Sequence, residues 1–248
     1  MKLYQYWDTP EPPDEVAAWI EEFRVMNPEM QHRLYDRDAA SWFIGKHIGQ
    51  RERKAFEACA VPSMQSDYFR VCAVKKSGGA YVDADYRSLQ NLSGLLQGAP
   101  HGMLQSWDGE LVHGFMMIRR SDDPFIDACI KICTLNVESR DVPNAYTATG
   151  PGVLNALQAV LKPERAPALL AKFDNMLQHD WLFPVVVERA RREITVTSNL
   201  VQALDAITLI SKRDLRPWLG KTDPPYKHTE RHWMNWRGPM YRDAAAGP

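Results

Sequence analysis

The chain has 248 residues and a formal net charge of −1, from 30 basic and 31 acidic side chains. This length suits one sizeable α/β domain, and the balanced charge disfavours nucleic acid as a partner. The four cysteines fall in apolar helical patterns, so we expect reduced thiols and a cytoplasmic protein. No apolar run approaches the roughly 20 residues of a membrane span, which leaves at most peripheral membrane contact.

The first half of the chain alternates strand and helix patterns. Strands are predicted at 3–7 and 31–35, and helices at 13–26 and 38–47, with helical connectors at 41–48 and 52–58. This alternation is typical of a mainly parallel, Rossmann-like sheet flanked by helices. We therefore predict a single α/β domain over residues 1–242 and a disordered tail over residues 243–248.

The stretch from Ser66 to Asp85 has the strongest chemical pattern. An amphipathic helix pattern ends at Gly78-Gly79, because glycine takes positive φ angles at little cost. A short buried strand at 80–82 then places Asp83 and Asp85 at its carboxyl end, where ligands bind in open α/β sheets. Two carboxylates one residue apart can share Mg²⁺ or Mn²⁺, since both ions prefer oxygen ligands.

A D-x-D pair alone is a weak signal. The chain holds another at Asp36 and Asp38, where we expect a turn and a helix start. The residues near Asp83 and Asp85 are more informative. Asp67 and Arg70 lie one helical turn apart before the glycines, and Tyr81 lies on the same strand face as Asp83. Without the Gly-Gly turn, the strand and the D-x-D pair that follow, we would expect Asp67 and Arg70 to form a surface salt bridge worth under about 0.5 kcal/mol.

Residues 66–70, S-D-Y-F-R, and residues 78–85, G-G-A-Y-V-D-A-D, together resemble the sugar-binding region of glycosyltransferase family 32, a D-x-D group. They are similar, more distantly, to the glucosylating domain of the large clostridial toxins. The resemblance covers about residues 3–120 and, loosely, the last 20. It implies a GT-A-type fold and a metal-dependent, retaining transfer of a hexose from a nucleoside diphosphate sugar. It also implies an aromatic and histidine tail folded over the nucleotide.

The resemblance assigns catalytic roles in this stretch. Asp85 would hold Mn²⁺ or Mg²⁺ against the donor phosphates, and Asp83 would reach sugar or ribose hydroxyls and the ion through water. Asp67 and Arg70 are spaced to hold sugar hydroxyls, the carboxylate accepting and the guanidinium donating. Tyr81 would pack against the ribose. No carboxylate is marked as an acceptor-side base, which fits a front-face mechanism in which the leaving phosphate takes the acceptor proton.

Three further donor contacts are expected outside this stretch. Gln5 and Trp7 match the family's strand end, without its histidine, and Trp7 would stack on the base. The alternative for Trp7 is a plain core tryptophan. His113, followed by Gly114 and Phe115, stands where the family often has an asparagine, so the identity of the donor sugar is open; a core histidine is the alternative there.

Residues Thr149, Gly150 and Gly152 begin a helix in a Thr-Gly-Pro pattern that resembles a family segment near the acceptor. The glycines let the backbone approach a ligand, and a helix N-terminus presents free N–H groups. An ordinary helix entry with proline in the first turn is equally consistent with these residues.

The C-terminal segment matches a histidine-tryptophan segment of the family, followed by a second tryptophan. The resemblance makes His232 a candidate metal ligand through its imidazole nitrogen, and places Trp233 and Trp236 on the acceptor side. A segment docked by its aromatic rings is the alternative.

The second half of the chain gives weaker patterns. Helices are predicted at 89–96, 124–138 and 168–177, and strands at 101–107, 112–118 and 181–187. The periodicity of residues 200–210 does not decide between a helix and a buried strand. For the basic run Arg189, Arg191 and Arg192 a solvated face is favoured over contact with an anionic acceptor or lipid.

These patterns favour a glycosyltransferase acting in the cytoplasm or at the inner membrane face. We expect it to build a surface polysaccharide from a UDP-sugar, or from GDP-mannose, on a glycan or lipid-linked glycan acceptor. One alternative is a metal-dependent nucleotide-sugar hydrolase. Another is a non-catalytic sugar-nucleotide binding protein, against which intact Arg70, Asp83 and Asp85 argue.

Overall fold

The computed structural model describes residues 1–97, 101–107, 109–142, 144–165, 167–169, 171, 183–222, 225–229, 232 and 235–243. Its strands are β1 Lys2–Tyr6, β2 Gln31–Tyr35, β3 Gly79–Val82, β4 Tyr86–Ser88, β5 Gly102–Trp107, β6 Glu110–Ile118, β7 Ile207–Ser211 and β8 Leu219–Lys221. Its helices are α1 Asp14–Met26, α2 Arg37–His47, α3 Gln50–Ala58, α4 Pro62–Ser77, α5 Ser93–Gln97, α6 Pro124–Ser139, α7 Ala145–Ala148, α8 Pro151–Leu161, α9 Phe183–Glu193, α10 Ser198–Asp205 and α11 Lys212–Leu215. Two short 3₁₀ helices span Pro163–Arg165 and Pro225–His228.

Six strands form one sheet in the order β2-β1-β3-β6-β5-β7. The pairs β1 with β2, β1 with β3 and β5 with β7 are parallel, while β6 is antiparallel to both β3 and β5. The predicted α/β class with a mainly parallel sheet is therefore confirmed. Because β6 runs opposite to β3, Val82 at the carboxyl end of β3 pairs with Phe115 in the middle of β6.

Helix α4 lies between the sheet and helices α2, α3 and α6. The sequence predicts an amphipathic helix here, yet every residue from 67 to 74 is buried. The apolar face packs through Phe69 against Tyr6 and Tyr35, and the opposite side is covered by α6, whose Thr134 hydroxyl bonds to the Tyr68 hydroxyl at 2.6 Å. The polar residues of α4 are consequently inside the protein, where each needs a partner.

The predicted stop at Gly78-Gly79 is present, and the backbone shows why glycine stands there. The φ angles are +61° at Gly78 and +119° at Gly79, a region that side chains disfavour. A Cβ would lie 2.5 Å from the Arg119 carbonyl oxygen at Gly78, and 2.7 Å from the Lys2 carbonyl oxygen at Gly79. This tight connection delivers the chain from α4 directly into β3.

Two predicted elements, at 89–96 and 181–187, differ in the structure. The helix predicted at 89–96 is the shorter α5, and strand β4 precedes it. The strand predicted at 181–187 is wrong for the described residues 183–187, which begin α9, because Phe183, Val186, Val187 and Ala190 share one buried helix face. Residues 200–210, left open by the sequence, contain both the end of α10 and most of β7. The helix predicted at 168–177 lies mostly outside the described residues.

Arg189 corrects a second expectation, because it does not lie on a solvated face. It is buried in α9 and donates from Nη2 to both Asp141 oxygens at 2.8 and 2.6 Å, while Nη1 donates to Asn136 Oδ1. Arg191 and Arg192 on the same helix are exposed, as predicted. Arg189 thus stabilises the packing of α9 on α6 rather than serving an external ligand.

The C-terminal segment docks on the junction between α3 and α4. Tyr241 forms an isolated bridge with Cys59, and its hydroxyl donates to the Val142 carbonyl oxygen at 2.5 Å. The predicted disordered tail lies outside the described residues from 244 onward. All four cysteines are buried free thiols, and burial raises the pKa of each. Among the described residues, no helix is long and apolar enough to cross a membrane.

Candidate functional site

Arg70 is the centre of a buried polar cluster that joins α4 to the end of β3. Its Nη2 donates to Asp83 Oδ1 at 2.7 Å and to Ser66 Oγ at 2.9 Å, and lies 3.0 Å from Asp67 Oδ1. The arginine side chain is 5% exposed and that of Asp67 is 12% exposed. The structure therefore brings together three predicted site residues, and the pair on α4 is a buried ion pair rather than a surface salt bridge.

Two of the predicted donor contacts lie behind Arg70. His113 on β6 has no exposed surface, and its Nδ1 faces Arg70 Nη1 at 3.1 Å. Burial and then the guanidinium charge hold the pKa of His113 well below its usual value, so the ring is neutral and accepts this hydrogen bond. Tyr81 is also fully buried; its ring lies 4.7 Å from the guanidinium carbon, and its hydroxyl bonds to Ser66 Oγ at 2.7 Å. Both residues contact the arginine instead of solvent.

Asp67 and Asp83 share the single guanidinium. Burial raises the pKa of Asp67 to about 7. The positive charge of Arg70 lowers this pKa, and the negative charge of Asp83 raises it further. Burial likewise raises the pKa of Asp83, which Arg70 lowers and Asp85 raises further. One cation cannot fully neutralise the buried Asp67 and the half-buried Asp83 together, so the cluster has an affinity for additional positive charge or for hydroxyl donors.

The close approach of Asp83 depends on Gly114 in β6. The Asp83 amide donates to the Gly114 carbonyl oxygen at 2.8 Å, and a Cβ on Gly114 would lie 2.7 Å from Asp83 Oδ2. The sequence analysis noted Gly114 only as part of a departure from the family pattern. Its role follows from the pairing of β3 with β6, which the sequence does not specify.

Asp85 is held by the C-terminal part of the chain. Its carbonyl oxygen accepts from the Thr222 amide at 3.2 Å and the Thr222 hydroxyl at 2.5 Å, and its Oδ2 lies 2.5 Å from Lys227 Nζ. Its other oxygen, Oδ1, is buried and has no hydrogen-bond partner among the residues that the structure describes. Sequence reasoning did not single out Thr222 or Lys227, because nothing local links them to a D-x-D pair.

The expected divalent cation fits the carboxylates of this site. A buried carboxylate oxygen without a partner, one residue from a second carboxylate, has the chemistry that Mg²⁺ and Mn²⁺ prefer. Within the part of the chain that the structure describes, no group of three or more His, Cys, Asp or Glu side chains could hold a metal. Asp85 and Asp83 would hold such an ion, and phosphate and water oxygens would complete its shell.

Among the described residues, His232 does not form a metal-binding group with other His, Cys, Asp or Glu side chains. Its backbone forms a turn, with its amide donating to the Thr229 carbonyl oxygen at 3.2 Å and its carbonyl oxygen accepting from Asn235 at 2.9 Å. The tail side chain that reaches the D-x-D pair is that of Lys227. The predicted aromatic partner Trp233 lies outside the described residues, and Trp236 packs on the main core with its Nε1 donating to Pro239.

Trp7 lies beside the D-x-D pair, at the end of β1. It is 9% exposed and packs with Ala84, the residue between the two aspartates. Trp19 on α1 is partly buried against the same small cluster, and the sequence analysis missed it. Gln5 points elsewhere: it has no exposed surface, and its Oε1 bonds to His32 Nε2 at 2.7 Å.

The predicted acceptor segment contacts Asp67. A Cβ on Gly150 would lie 3.0 Å from Asp67 Oδ2, and the adjacent Thr149 is fully buried with its hydroxyl lacking a hydrogen-bond partner. Gly152 packs closely on Thr147 in the same loop. The structure thus places the entry to α8 next to the buried cluster of α4.

A groove of about 490 Å³ opens beyond Tyr86. The Tyr86 ring lies 3.6 Å from the position of a Gly114 Cβ, so it separates the groove from Asp83. Among the described residues, three basic side chains line the groove, and the lining that they belong to is Tyr86, Gln105, Lys212, Leu215, Arg216, Leu219, Gly220 and Lys221. Its chemistry suits an anionic group.

Comparisons with known proteins gave a family match and similar solved structures. A family model described as the glycosyltransferase sugar-binding region containing the DXD motif matches residues 3–102. Among solved structures, the chain is similar to the PaToxG glycosyltransferase, with 12% identity over 87% of this chain and 84% of that chain and a TM-score of 0.49. It is also similar to the ligand-free glycosyltransferase domain from the YGT toxin, with 9% identity over 84% and 79% of the two chains and a TM-score of 0.40.

No curated protein sequence matches the chain. The matched range contains residues 66–70 and 78–85, the two strings on which the resemblance rests. Residues 3–102 are therefore similar to the glycosyltransferase sugar-binding region with its D-x-D motif, as the sequence predicts, and they lie in an α/β fold.

Proposed function

We propose that the chain is a metal-dependent glycosyltransferase that moves a hexose from a nucleoside diphosphate sugar, with a UDP-sugar favoured over GDP-mannose. The observation that carries this proposal is the buried cluster of Arg70, Asp67 and Asp83 beside the partner-free oxygen of Asp85. A cluster of this kind, within a matched sugar-binding region, holds hydroxyl groups and divalent cations rather than an apolar ligand.

Each residue of the cluster has its own role in binding the donor. Asp85 and Asp83 hold Mn²⁺ or Mg²⁺, which when bound supplies a Lewis acid for the charge that develops on the leaving diphosphate. Asp67 accepts hydrogen bonds from sugar hydroxyls, and Arg70 keeps both α4 and β3 carboxylates in place. Tyr81 and His113 fix the guanidinium from behind, so the donor meets a preorganised surface.

Retention of the anomeric configuration is part of the proposal and has its support in the family resemblance. In a front-face reaction the acceptor hydroxyl attacks from the side of the leaving phosphate, which takes its proton. Such a reaction needs no separate base, and the two carboxylates beside Arg70 remain available to position hydroxyl groups. Positioning donor and acceptor then accounts for much of the rate enhancement.

The acceptor in this proposal is a glycan or a lipid-linked glycan used in surface polysaccharide synthesis. The basic groove beyond Tyr86 supports a phosphate-bearing acceptor, because Lys212, Arg216 and Lys221 are among the described residues that line it. A lipid-linked acceptor would place the reaction in the cytoplasm, at the inner membrane face. The entry to α8, next to Asp67, is the second candidate acceptor contact.

The test is the release of nucleoside diphosphate from a panel of UDP- and GDP-sugars, with Mn²⁺ or with EDTA, with and without glycan acceptors. We expect metal-dependent release that an acceptor accelerates. Release that no acceptor accelerates would favour the hydrolase alternative. Binding without any turnover would favour the binding-protein alternative, and neither binding nor turnover would contradict the proposal.

A further inference from the structure

The ammonium group of Lys227 occupies one side of the Asp85 carboxylate. Its Nζ lies 2.5 Å from Asp85 Oδ2, and the two side chains are 13% and 11% exposed. The same Nζ donates to the Thr222 carbonyl oxygen at 2.8 Å. Because the pair is largely removed from water, its attraction is stronger than that of a surface ion pair, and so is the cost of leaving either charge alone.

The charges of the site explain why Lys227 pairs with Asp85. Arg70 contacts Asp67 and Asp83, so it does not serve the third carboxylate. Lys227 supplies the positive charge for Asp85. A divalent cation on Asp85 with the ammonium still in contact would bring two cations to one buried carboxylate, which is electrostatically unfavourable.

We propose that Lys227 exchanges partners during donor binding: it pairs with Asp85 in the free chain, yields Asp85 to the divalent cation, and then donates to the diphosphate of the donor. This inference rests on the proposed function, since it needs a donor that carries a diphosphate. A diphosphate bound to a cation on Asp85 offers anionic oxygens next to the place that Lys227 leaves, and an ammonium is a strong donor to phosphate oxygens.

The local structure allows such an exchange. Thr222 fixes the chain on the Asp85 carbonyl oxygen, and Lys227 follows within the 3₁₀ helix Pro225–His228. The Lys227 carbonyl oxygen accepts from Asn235 Nδ2 at 2.9 Å, which ties this helix to the segment beyond it. Lysine has a flexible four-carbon stem, so its head group can turn from carboxylate to phosphate while this backbone stays anchored.

The experiment measures two affinities in the wild type and in Lys227→Met. We expect Mn²⁺ to bind the variant at least fivefold more tightly when no nucleotide is present, because the competing ammonium is gone. We expect UDP, measured with saturating Mn²⁺, to bind at least tenfold more weakly, because a donor to the diphosphate is lost. A defect in folding or in the general stability of the site would weaken both affinities and would not produce opposite signs.

Two further variants keep the test interpretable. Lys227→Arg retains a cation and should keep both affinities within threefold of the wild type. Lys75→Met removes another partly buried lysine, which pairs with Asp127 and not with Asp83 or Asp85, so its Mn²⁺ affinity should also change less than threefold. Equal tightening of Mn²⁺ in Lys75→Met would mean that general charge, and not the Asp85 contact, is responsible, and this would overturn the proposal.

The other outcomes are also decisive. Unchanged or weaker Mn²⁺ binding by Lys227→Met would overturn the competition at Asp85, and unchanged UDP binding would overturn the transfer to the diphosphate. Failure of the proposed function looks different, since the wild type itself would then bind neither UDP with Mn²⁺ nor any sugar nucleotide.

Discussion

Arg70 Nη2 donates to Asp83 Oδ1 at 2.7 Å, and this contact joins the helix and the strand on either side of the Gly78-Gly79 turn. The same nitrogen lies 3.0 Å from Asp67 Oδ1. One buried guanidinium thus fixes the relative position of two carboxylates. The geometry of the sugar-binding region depends on a single side chain that is nearly inaccessible to solvent.

Loss of Arg70 should cost stability as well as activity. Arg70→Met leaves Asp67 and Asp83 buried beside each other without their cation, and removing one partner of a buried ion pair costs about 3–5 kcal/mol. Urea unfolding measures this loss. The matched control is Arg51→Met, because Arg51 pairs with Glu138 on the surface, where such pairs contribute under about 1 kcal/mol. Equal losses in the two variants would contradict the assignment of Arg70 as the centre of the cluster.

Gly114→Ala should impair donor binding with little change in the fold. The added Cβ would lie 2.7 Å from Asp83 Oδ2, so the carboxylate must move away from its position near Asp85. We expect at least a tenfold rise in the KM for the donor. At Gly45 an added Cβ also meets an atom at 2.7 Å, but that atom belongs to the side chain of Arg53, which pairs with Glu57 and not with a site carboxylate, so Gly45→Ala should keep the wild-type KM.

The pH dependence of stability should reveal the buried Asp67 carboxyl. Its pKa is raised from 3.8 to about 7 in the folded chain, chiefly by burial, so the folded state binds a proton that the unfolded state has already released. The stability from this proton is complete below pH 4 and is lost as the pH rises through 7. Relative to the wild type, Asp67→Asn should therefore gain stability between pH 4 and 8, by up to about 4 kcal/mol for a shift of this size.

Unfolding free energies of the two proteins at pH values from 4 to 8 provide the measurement. A difference that stays constant over this range, or one that falls with rising pH, would contradict the raised pKa of Asp67.

Arg189 should behave differently from its neighbour Arg191. Arg189→Met leaves the buried Asn136 without its donor and removes the ion pair with the exposed Asp141, so we expect a loss of about 1–3 kcal/mol in the free energy of unfolding. Arg191 contacts the exposed Glu188, and Arg191→Met should change stability by under about 1 kcal/mol. Both variants should keep the wild-type KM for the donor. Similar stabilities would restore the original expectation of a solvated basic face.

The sequence predicts the part of the site whose residues lie close to one another in the sequence. Asp67, Arg70, the two glycines and Asp83 follow one another within a single helix, turn and strand, so their spacing alone determines that they meet. Lys227, Gly114 and Thr222 reach the same site through strand pairing and tail docking, and no short-range pattern records such contacts. Tertiary packing also overrides the helix pattern of α4, whose second face is covered by α6.

The second half of the chain shows a further limit. A short apolar run such as 183–187 suits a strand or a helix, and only the continuation to Ala190 shows the helical spacing. Arg189 looks like a surface residue because its partners, Asn136 and Asp141, lie on distant segments. Burial of a charged side chain depends on such partners, which composition and periodicity do not reveal.

The central claim is that the D-x-D pair at Asp83 and Asp85 serves a nucleoside diphosphate sugar. The most direct measurement is Mn²⁺-dependent release of nucleoside diphosphate by the wild type, Asp85→Ala and Asp38→Ala. The last variant changes the other D-x-D pair, whose Asp36 caps α2. We expect at least a hundredfold loss in Asp85→Ala and none in Asp38→Ala. Equal rates in the wild type and Asp85→Ala would contradict the account.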